Sequence, residues 1–292
     1  MGFDFYVLIK RVVGTSIQRL LFVTTKEMIQ KFLIAFTDLI GAFSKRHLIF
    51  MLGWQDIKQK YRRSKFGPFW LTISMGIMIA MIGIIFGQAL KQPLDLYLPY
   101  LATGIIFWNF ISSAINEGSS AFISSAGMIR QLGLPLAIYP SRVLWRNVVV
   151  LLHNIIILPF VLLVAGKTIT FNILWIIPGF ILLVANLFWI SLFLGLFCTR
   201  FRDMPPIVAS IVQVFFYITP IIWMPSSVGS RVSNLIVQTN PVYYLLDLVR
   251  SPILGNAPQF MSWCVGLSLF MLGSFVTLFV YGAYRKRIAY WI

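Results

Sequence analysis

Acidic residues, histidine and cysteine are all scarce in this sequence. Its 292 residues include 8 Asp and Glu, 2 His and 2 Cys, against 24 Lys and Arg. No HxxE, DxD or paired-carboxylate arrangement stands out, which argues against an enzyme such as a glycosyltransferase or acyltransferase. The G-x-x-x-x-G-K-[ST] loop that holds nucleotide phosphates is also absent. We therefore expect no catalytic residue, no metal and no cofactor in this chain, and the two cysteines predict no disulfide framework.

Charge is missing from long stretches of the chain. Hydrophobic residues make up 59% and charged residues only 11%, with a mean hydropathy of +0.87. Several uncharged windows reach the ~20 residues that a helix needs to cross the hydrocarbon core of a bilayer. They predict six spans, at about 69–90, 96–116, 144–166, 172–198, 206–224 and 260–283. The fold class that follows is an all-α integral membrane protein.

The basic residues predict an orientation. Of the 24 Lys and Arg, only Lys91, Lys167, Arg231 and Arg250 fall on one side of the six predicted spans. Because cytoplasmic loops carry the excess of Lys and Arg, the richer side and both termini are expected to be cytoplasmic. The positive charge is thus explained by the membrane, and we expect no nucleic-acid partner.

Residues 1–65 form the first of two predicted regions, and residues 66–292 form the six-span domain. Apolar residues recur at helical spacing, with charged residues opposite them: Ile29, Phe32, Leu33, Phe36, Ile40 and Phe43 against Glu27, Lys31, Asp38 and Lys45. This pattern predicts an amphipathic helix in the membrane surface, anchored to lipid or docked on a cytoplasmic partner. A weaker amphipathic helix is predicted before it, from Phe5 to Leu20.

Two proline-containing segments are expected to interrupt the helices on the outer side. Thr219-Pro220-Ile221 breaks the apolar run of the fifth span, and Asn240-Pro241 lies in an amphipathic segment that follows it. Irregular backbone at membrane depth is tolerated only where protein or water surrounds it. These segments therefore predict outer re-entrant or gate helices.

A series of motifs follows a fixed order along the chain. In the first, Gly67 permits a turn and Pro68 suits the first turn of span one. The motif residues are Asp56, Lys58, Tyr61, Ser64, Gly67, Pro68 and Trp70; Arg130 through Pro135; Arg202 and Asp203; Thr219 and Pro220; Asn240 and Pro241; and Arg250. In this order the sequence resembles, from Trp54 onward, the permease subunits of bacterial ABC transporters that export O-antigen, capsule and teichoic-acid polymers.

The resemblance implies a homodimer of six-span subunits in the bacterial cytoplasmic (inner) membrane. It also implies two copies of a separate ATPase subunit, which would bind ATP and Mg. The implied substrate is a lipid-linked polysaccharide, and O-antigen is the polymer that we expect. The alternative is a secondary transporter or flippase of a lipid-linked glycan without an ATPase. Such proteins commonly carry internal repeats and ionisable residues at mid-membrane, and neither is visible in this sequence.

Span two carries an aromatic stripe that is a candidate conduit. Tyr97, Tyr100, Phe107 and Trp108 fall within about a third of the helix circumference. Aromatic rings can hold the C–H faces of sugars weakly, so the stripe predicts either a polysaccharide conduit or packing between helices. Four arginines are candidates for holding the lipid-linked pyrophosphate at the inner entrance, since fixed cations favour phosphate: Arg62, Arg63, Arg142 and Arg146.

The loop after span two is the candidate coupling element. A short cytoplasmic helix is expected to start near Glu117 and to lack an apolar face wide enough for a core. We expect it, together with the surface helix around 29–43, to contact the ATPase. The candidate coupling residues are Glu117, Gly118, Ser119, Ser120 and Arg130.

Overall fold

The protein is built from helices. The computed structural model describes residues 28–62, 69–168, 170–225, 235 and 237–292, and the regular elements in these ranges are all helical. The α-helices are α1 (28–44), α2 (Arg46–Tyr61), α3 (Phe69–Ala89), α4 (Leu94–Ser119), α5 (Ala121–Ser124), α6 (Ala126–Gln131), α7 (Ile138–Ile155), α8 (Ile157–Val164), α9 (Ile176–Arg200), α10 (Met204–Ile218), α11 (Pro241–Ile253), α12 (Phe260–Tyr284) and α13 (Ile288–Trp291). Two short 3-10 helices, Phe171–Trp175 and Arg285–Arg287, precede α9 and α13.

Five helical stretches in the described residues are long and apolar enough to cross a membrane. They are Phe69–Ala89, Leu94–Ser119, Ile138–Val164, Phe171–Arg200 and Phe260–Trp291. The chain is therefore an all-α, multi-pass membrane protein, as its composition predicts. The fifth predicted span is the shorter apolar helix Met204–Ile218 of 15 residues. At 1.5 Å per residue this helix covers only about 22 Å of the ~30 Å hydrocarbon core.

α4 is the central helix of the bundle. Leu101, Ile105, Ile106 and Ile111 are buried in the main apolar core, where α4 packs against α3, α7, α9, α10 and α11. Small residues on α4, such as Ala102 and Gly104, allow its neighbours to approach closely. α3, by contrast, is largely exposed along its length, which leaves much of its apolar surface without a partner inside the subunit.

The surface helix α1 is amphipathic, but its inner face differs from the sequence prediction. Leu33, Ile40 and Phe43 are exposed, as expected for a helix whose apolar face lies in the membrane surface. Asp38 was expected on a polar face away from the membrane, yet it is buried against the bundle. α1 approaches α12 so closely that a Cβ on Gly282 would collide with the backbone of Lys31.

Asp38 joins three elements through one carboxylate. It accepts hydrogen bonds from the backbone N–H groups of Leu136 and Ala137, at 3.3 and 3.0 Å, just before α7. It also accepts from the Tyr281 hydroxyl at 2.6 Å and from Arg285 Nε at 2.8 Å, at the end of α12. A buried carboxylate is tolerated because its oxygens are paired in this way.

The predicted break after the fifth span is confirmed. α10 ends at Ile218, and Thr219 and Ile221 are fully buried although they are not helical. The carbonyl groups freed by the break are satisfied by α4, because Tyr100 Oη donates to Pro220 O at 2.8 Å and Tyr97 Oη donates to Ile222 O at 2.7 Å. The irregular backbone therefore lies where protein supplies its hydrogen bonds.

Two motifs that are 21 residues apart in sequence meet at this break. Asn240 Nδ2 donates to Thr219 Oγ1 at 2.8 Å, and Asn240 Oδ1 caps α11 by accepting from Val242 N at 2.9 Å. Pro241 occupies the first turn of α11, where its missing N–H costs nothing. Buried Arg250 completes the cluster: its Nη1 donates to Pro220 O at 2.7 Å, and its guanidinium lies 4.1 Å from the centre of the Tyr100 ring.

Candidate functional site at the basic end of the bundle

Most of the described basic residues lie at one end of the bundle. This end, called the basic end below, is formed by α2, α5, α6, the start of α7 and the ends of α9 and α12. Its Lys and Arg residues include Arg62, Arg130, Arg142, Arg146, Arg200, Arg202 and 285–287. The third span was predicted to start at about 144, but its helix begins at Ile138. Arg142 and Arg146 are therefore part of the spanning helix.

Close packing of α2 on α7 creates the site. Gly53 of α2 faces α7, and a Cβ at this position would lie 2.7 Å from the Trp145 ring and 3.3 Å from Arg142 O. The lack of a side chain at Gly53 thus lets the two helix axes come together. One turn further along α2, Asp56 faces Arg142 and Arg146, which share one face of α7 because they are four residues apart.

Two carboxylates and two guanidinium groups form a continuous network between α2, α4 and α7. Arg142 binds Asp56 with two nitrogens, one of them Nε at 2.7 Å from Oδ2. Arg146 bridges the two acids: Nη1 lies 3.1 Å from Asp56 Oδ2, and Nη2 lies 2.8 Å from Glu117 Oε2. Asn147 Nδ2 also donates to Glu117 Oε2, at 2.7 Å. The formal charges of this network sum to zero.

A polar cavity of about 340 Å³ lies beside this network, between α2, α3, α4 and α7. Its polar lining comes from Ser74, Asn109, Ser113, Glu117, Arg146, Asn147 and Asn154, together with Lys60 and Tyr61 of α2. The Tyr61 hydroxyl has no hydrogen-bond partner among the described residues. Burial, and then the nearby Glu117 carboxylate, raises the pKa of Tyr61, so the phenol remains neutral and can donate a hydrogen bond.

The predicted pyrophosphate ligands divide into three cases. Arg142 and Arg146 are both paired with carboxylates, and only Arg146 lines the cavity. Arg62 is exposed at the end of α2, whereas Arg63 lies outside the described residues. Lys60 lines the cavity and forms no ion pair within the described part of the chain, although the sequence reading did not select it. The sequence indicated Lys60 only through its position two residues before the candidate ligand Arg62.

The candidate coupling element differs in detail from the prediction. Glu117 does not start a new helix, because α4 continues to Ser119 and the short helices α5 and α6 follow it. The expectation that this segment lacks a core-packing face is wrong for α5, whose Phe122 is fully buried. Gly118 and Ser119 are also buried, against α9, while Ser120 is half-buried and Arg130 is exposed. The longest exposed run of the element is the segment 130–133.

α6 is in direct contact with the charged network. Arg142 Nη1 lies 3.6 Å from Met128 Sδ, so the same side chain touches α6 and binds Asp56. A displacement of α6 therefore has a physical route through Arg142 and Asp56 to α2, and through Arg146 to α4.

The aromatic stripe of α4 is largely packed inside the subunit. Tyr97 and Phe107 are fully buried, and Tyr97 and Tyr100 use their hydroxyl groups to hold the segment after α10. Trp108 differs, because it lines an open groove of about 430 Å³ between α4 and α10. For Tyr97 and Phe107 the geometry matches the packing alternative, since neither ring reaches a surface of this subunit.

Comparison with known proteins decides the family. Residues 47–254 match the family model described as ABC-2 type transporter. The chain belongs to the ABC-2 type transporter family. The matched region begins in α2 and ends just after α11, so it contains the charged network, the polar cavity and the cluster around Arg250.

Relatives of this ABC-2 protein carry a common name. Two proteins of Klebsiella pneumoniae, each named O-antigen export system permease protein RfbA, are 28% and 26% identical to it over 200 and 201 residues. These alignments cover 67% of this chain and 75% of each relative. A Myxococcus xanthus protein of the same name is 21% identical over 210 residues, covering 70% of this chain and 79% of the relative.

The remaining motif residues of this ABC-2 protein have varied surroundings. Arg202 Nη2 donates to the carbonyl groups of Trp291 and Ile292, at 3.4 and 3.0 Å, which fixes α13 to the end of α9. Asp203 lies at the N-cap position of α10 without a side-chain capping bond. Lys58 and Trp70 are exposed, and Ser64, Gly67 and Pro68 lie outside the described residues.

Proposed function

We propose that this protein is the transmembrane subunit of an ATP-driven exporter that moves a lipid-linked polysaccharide, O-antigen, across the bacterial inner membrane. The observation that carries the proposal is the match to the ABC-2 family over 47–254, combined with relatives that are all named O-antigen export permeases. The same names favour O-antigen over capsule or teichoic acid as the polymer.

ATP and Mg are assigned to a separate ATPase subunit, present in two copies. The full sequence has no G-x-x-x-x-G-K-[ST] loop, so the nucleotide phosphates need another chain. The exposed segment 130–133 is the proposed docking surface, because it includes the end of α6 and α6 contacts Arg142. ATPase movements would then reach α2, α4 and α7 through the network around Asp56.

Two copies of this subunit are proposed to enclose the conduit. The groove between α4 and α10 carries Trp108 together with polar side chains of Ser112, Asn116 and Gln213. Polar groups facing lipid hydrocarbon are costly, so this groove is better matched to water and a second subunit than to acyl chains. Trp108 is the member of the aromatic stripe best placed to contact sugars on such a path.

The polar head of the substrate is proposed to bind at the cavity beside α2. Lys60 and Arg62 supply positive charge near its mouth, and Tyr61 supplies a hydroxyl donor. Arg142 and Arg146 act there mainly through their carboxylate partners, since their guanidinium groups are already paired. A phosphate near Lys60 would thus be bound without breaking the network.

The proposed orientation places the basic end and both termini in the cytoplasm. In a background with Cys198→Ser and Cys264→Ser, single cysteines at exposed Gly133 and Arg287 should resist a membrane-impermeant thiol reagent in intact cells. Cysteines at Lys91 and Lys167 should react, because the four Lys and Arg of the sparse side are expected outside. Labelling of Gly133 in intact cells, with an impermeant reagent, would contradict this orientation.

ATP dependence distinguishes the proposed exporter from a secondary transporter. In cells lacking the endogenous permease, this protein and its partner ATPase should restore surface O-antigen, measured by antibody binding to intact cells. An ATPase whose phosphate-binding Lys is replaced by Ala should abolish export, with both subunits still present in the membrane. Export that persists with this inactive ATPase would favour the secondary-transporter alternative.

A further inference from the structure

An apolar groove of about 810 Å³ lies on the side of the bundle, and none of its lining residues lines the polar cavity. α1, α2, α7, α9 and α12 form it, and its lining includes Phe43, Trp145, Val148, Val184, Phe188 and Phe270. Phe43 belongs to the exposed apolar face of α1, so the groove opens on the same side as that face. A concave apolar surface in this position is suited to a hydrocarbon chain.

The groove is long enough to hold part of an acyl chain. On α7 it extends at least to Val148, ten positions beyond the start of the helix at Ile138. At 1.5 Å per residue this is about 15 Å, and on α9 the lining runs from Phe180 to Phe188, about 12 Å along that helix. An acyl chain that enters at the level of α1 therefore has a continuous apolar surface to follow between α7 and α9.

The mouth of the groove carries a basic group. Arg46 lines it, and Lys45 and His47 are its exposed neighbours in sequence. Within the described residues these three side chains form no ion pair. They lie at the start of α2, whose first turn has no acidic residue and no side-chain cap. Cations at a helix N-terminus are unfavourable unless an anion is near, because the helix dipole is positive there.

We propose that this groove is a binding site for an anionic glycerophospholipid. One acyl chain occupies the groove between α7 and α9, and the phosphate lies beside Lys45 and Arg46 at the start of α2. The basic charge at the mouth and the apolar lining between α7 and α9 favour a phospholipid over a protein segment. The bound lipid would hold α1 and α2 at a fixed depth in the membrane surface.

Native mass spectrometry of the full-length protein tests this proposal. The protein would be reconstituted in nanodiscs of equal phosphatidylcholine and phosphatidylglycerol, and the lipids retained on release counted per subunit. We expect the wild type to retain phosphatidylglycerol in preference to phosphatidylcholine. Arg46→Gln should lower that preference roughly fivefold, as one juxtamembrane charge is worth about 1 kcal/mol. Ala185→Trp should fill the groove and reduce retention of both lipids.

Matched variants separate the site from general lipid contact. Leu272→Trp adds the same bulk to an exposed position of α12, and Lys286→Gln removes an exposed charge elsewhere; both should behave as wild type. Equal retention of the two lipids by the wild type would overturn the proposal, and so would wild-type behaviour of Arg46→Gln, which alters only an exposed side chain. A cysteine at Val148 that cross-links to residues 1–27 or to a second copy would assign the groove to that occupant instead.

Discussion

Replacing Asp38 by alanine is expected to cost about 3–5 kcal/mol of the free energy of unfolding, the range for removing one partner of a buried charged pair. The change leaves the N–H groups of Leu136 and Ala137, the Tyr281 hydroxyl and Arg285 without their acceptor. The attachment of α1 to the bundle would weaken, because the packing of Ala35 and Ala42 and the close contact at Gly282 would remain without this polar anchor. Unfolding of the purified protein in mixed SDS and mild detergent measures the loss.

Two variants sharpen this test. Asp95→Ala removes an exposed acid from the first turn of α4 and should change the free energy of unfolding little. Asp38→Asn retains one acceptor oxygen and should fall between alanine and wild type. If Asp38→Ala unfolds at the same SDS fraction as wild type, the carboxylate does not hold α1 in place.

Asp56→Asn is expected to reduce polymer export roughly tenfold, within the range of coupling free energies between sites. Arg142 and Arg146 share this carboxylate, so its neutralisation leaves two guanidinium groups close together with only Glu117 as a counter-ion. The contact between α2 and α7 would loosen, and displacements of α6 would no longer reach α2. Surface polymer, normalised to the amount of permease in the membrane, gives the result.

A charge-matched double variant is the control for Asp56→Asn. Adding Arg142→Gln removes one cation together with the anion and should restore part of the export, whereas Arg142→Gln alone should impair it. This non-additivity is expected of residues in one ionic network. Export by the double variant at or below that of Asp56→Asn alone would show that the charge balance is not what matters at this position.

Composition and periodicity predicted the elements of this protein well. The uncharged windows located the five long spanning helices, and most of the predicted helix ends lie within a few residues of the observed ends. The spacing of Leu33, Phe36, Ile40 and Phe43 predicted the surface helix. Thr219-Pro220 predicted the break after α10, because proline cannot continue a helix. These features depend on residues that are close together in the chain, so they can be predicted from a single sequence.

Contacts between distant residues were not predictable in the same way. From the sequence, Arg142 and Arg146 were expected to be unpaired cations, because their partners Asp56 and Glu117 are 86 and 29 residues away. Asp38 was likewise expected on the exposed polar face of the surface helix, since nothing near it in sequence indicates a contact with Tyr281 or Arg285. The one available signal was the scarcity of acids: with 24 basic residues and 8 acidic ones, each acid near a span has many possible partners.

The contact between Asp38 and Tyr281 joins residues that are 243 positions apart. During synthesis, α1 leaves the ribosome long before α12 exists, so for most of translation Asp38 has neither Tyr281 nor Arg285 to bind. Once α7 has been made, the backbone N–H groups of Leu136 and Ala137 can already hold Asp38, and Ala42 can pack beside Ala137 and Ile138. The docking of α1 is therefore completed in two stages, and the second stage follows insertion of the last spanning helix. A truncated chain that stops before residue 281 would lack the Tyr281 and Arg285 donors to Asp38.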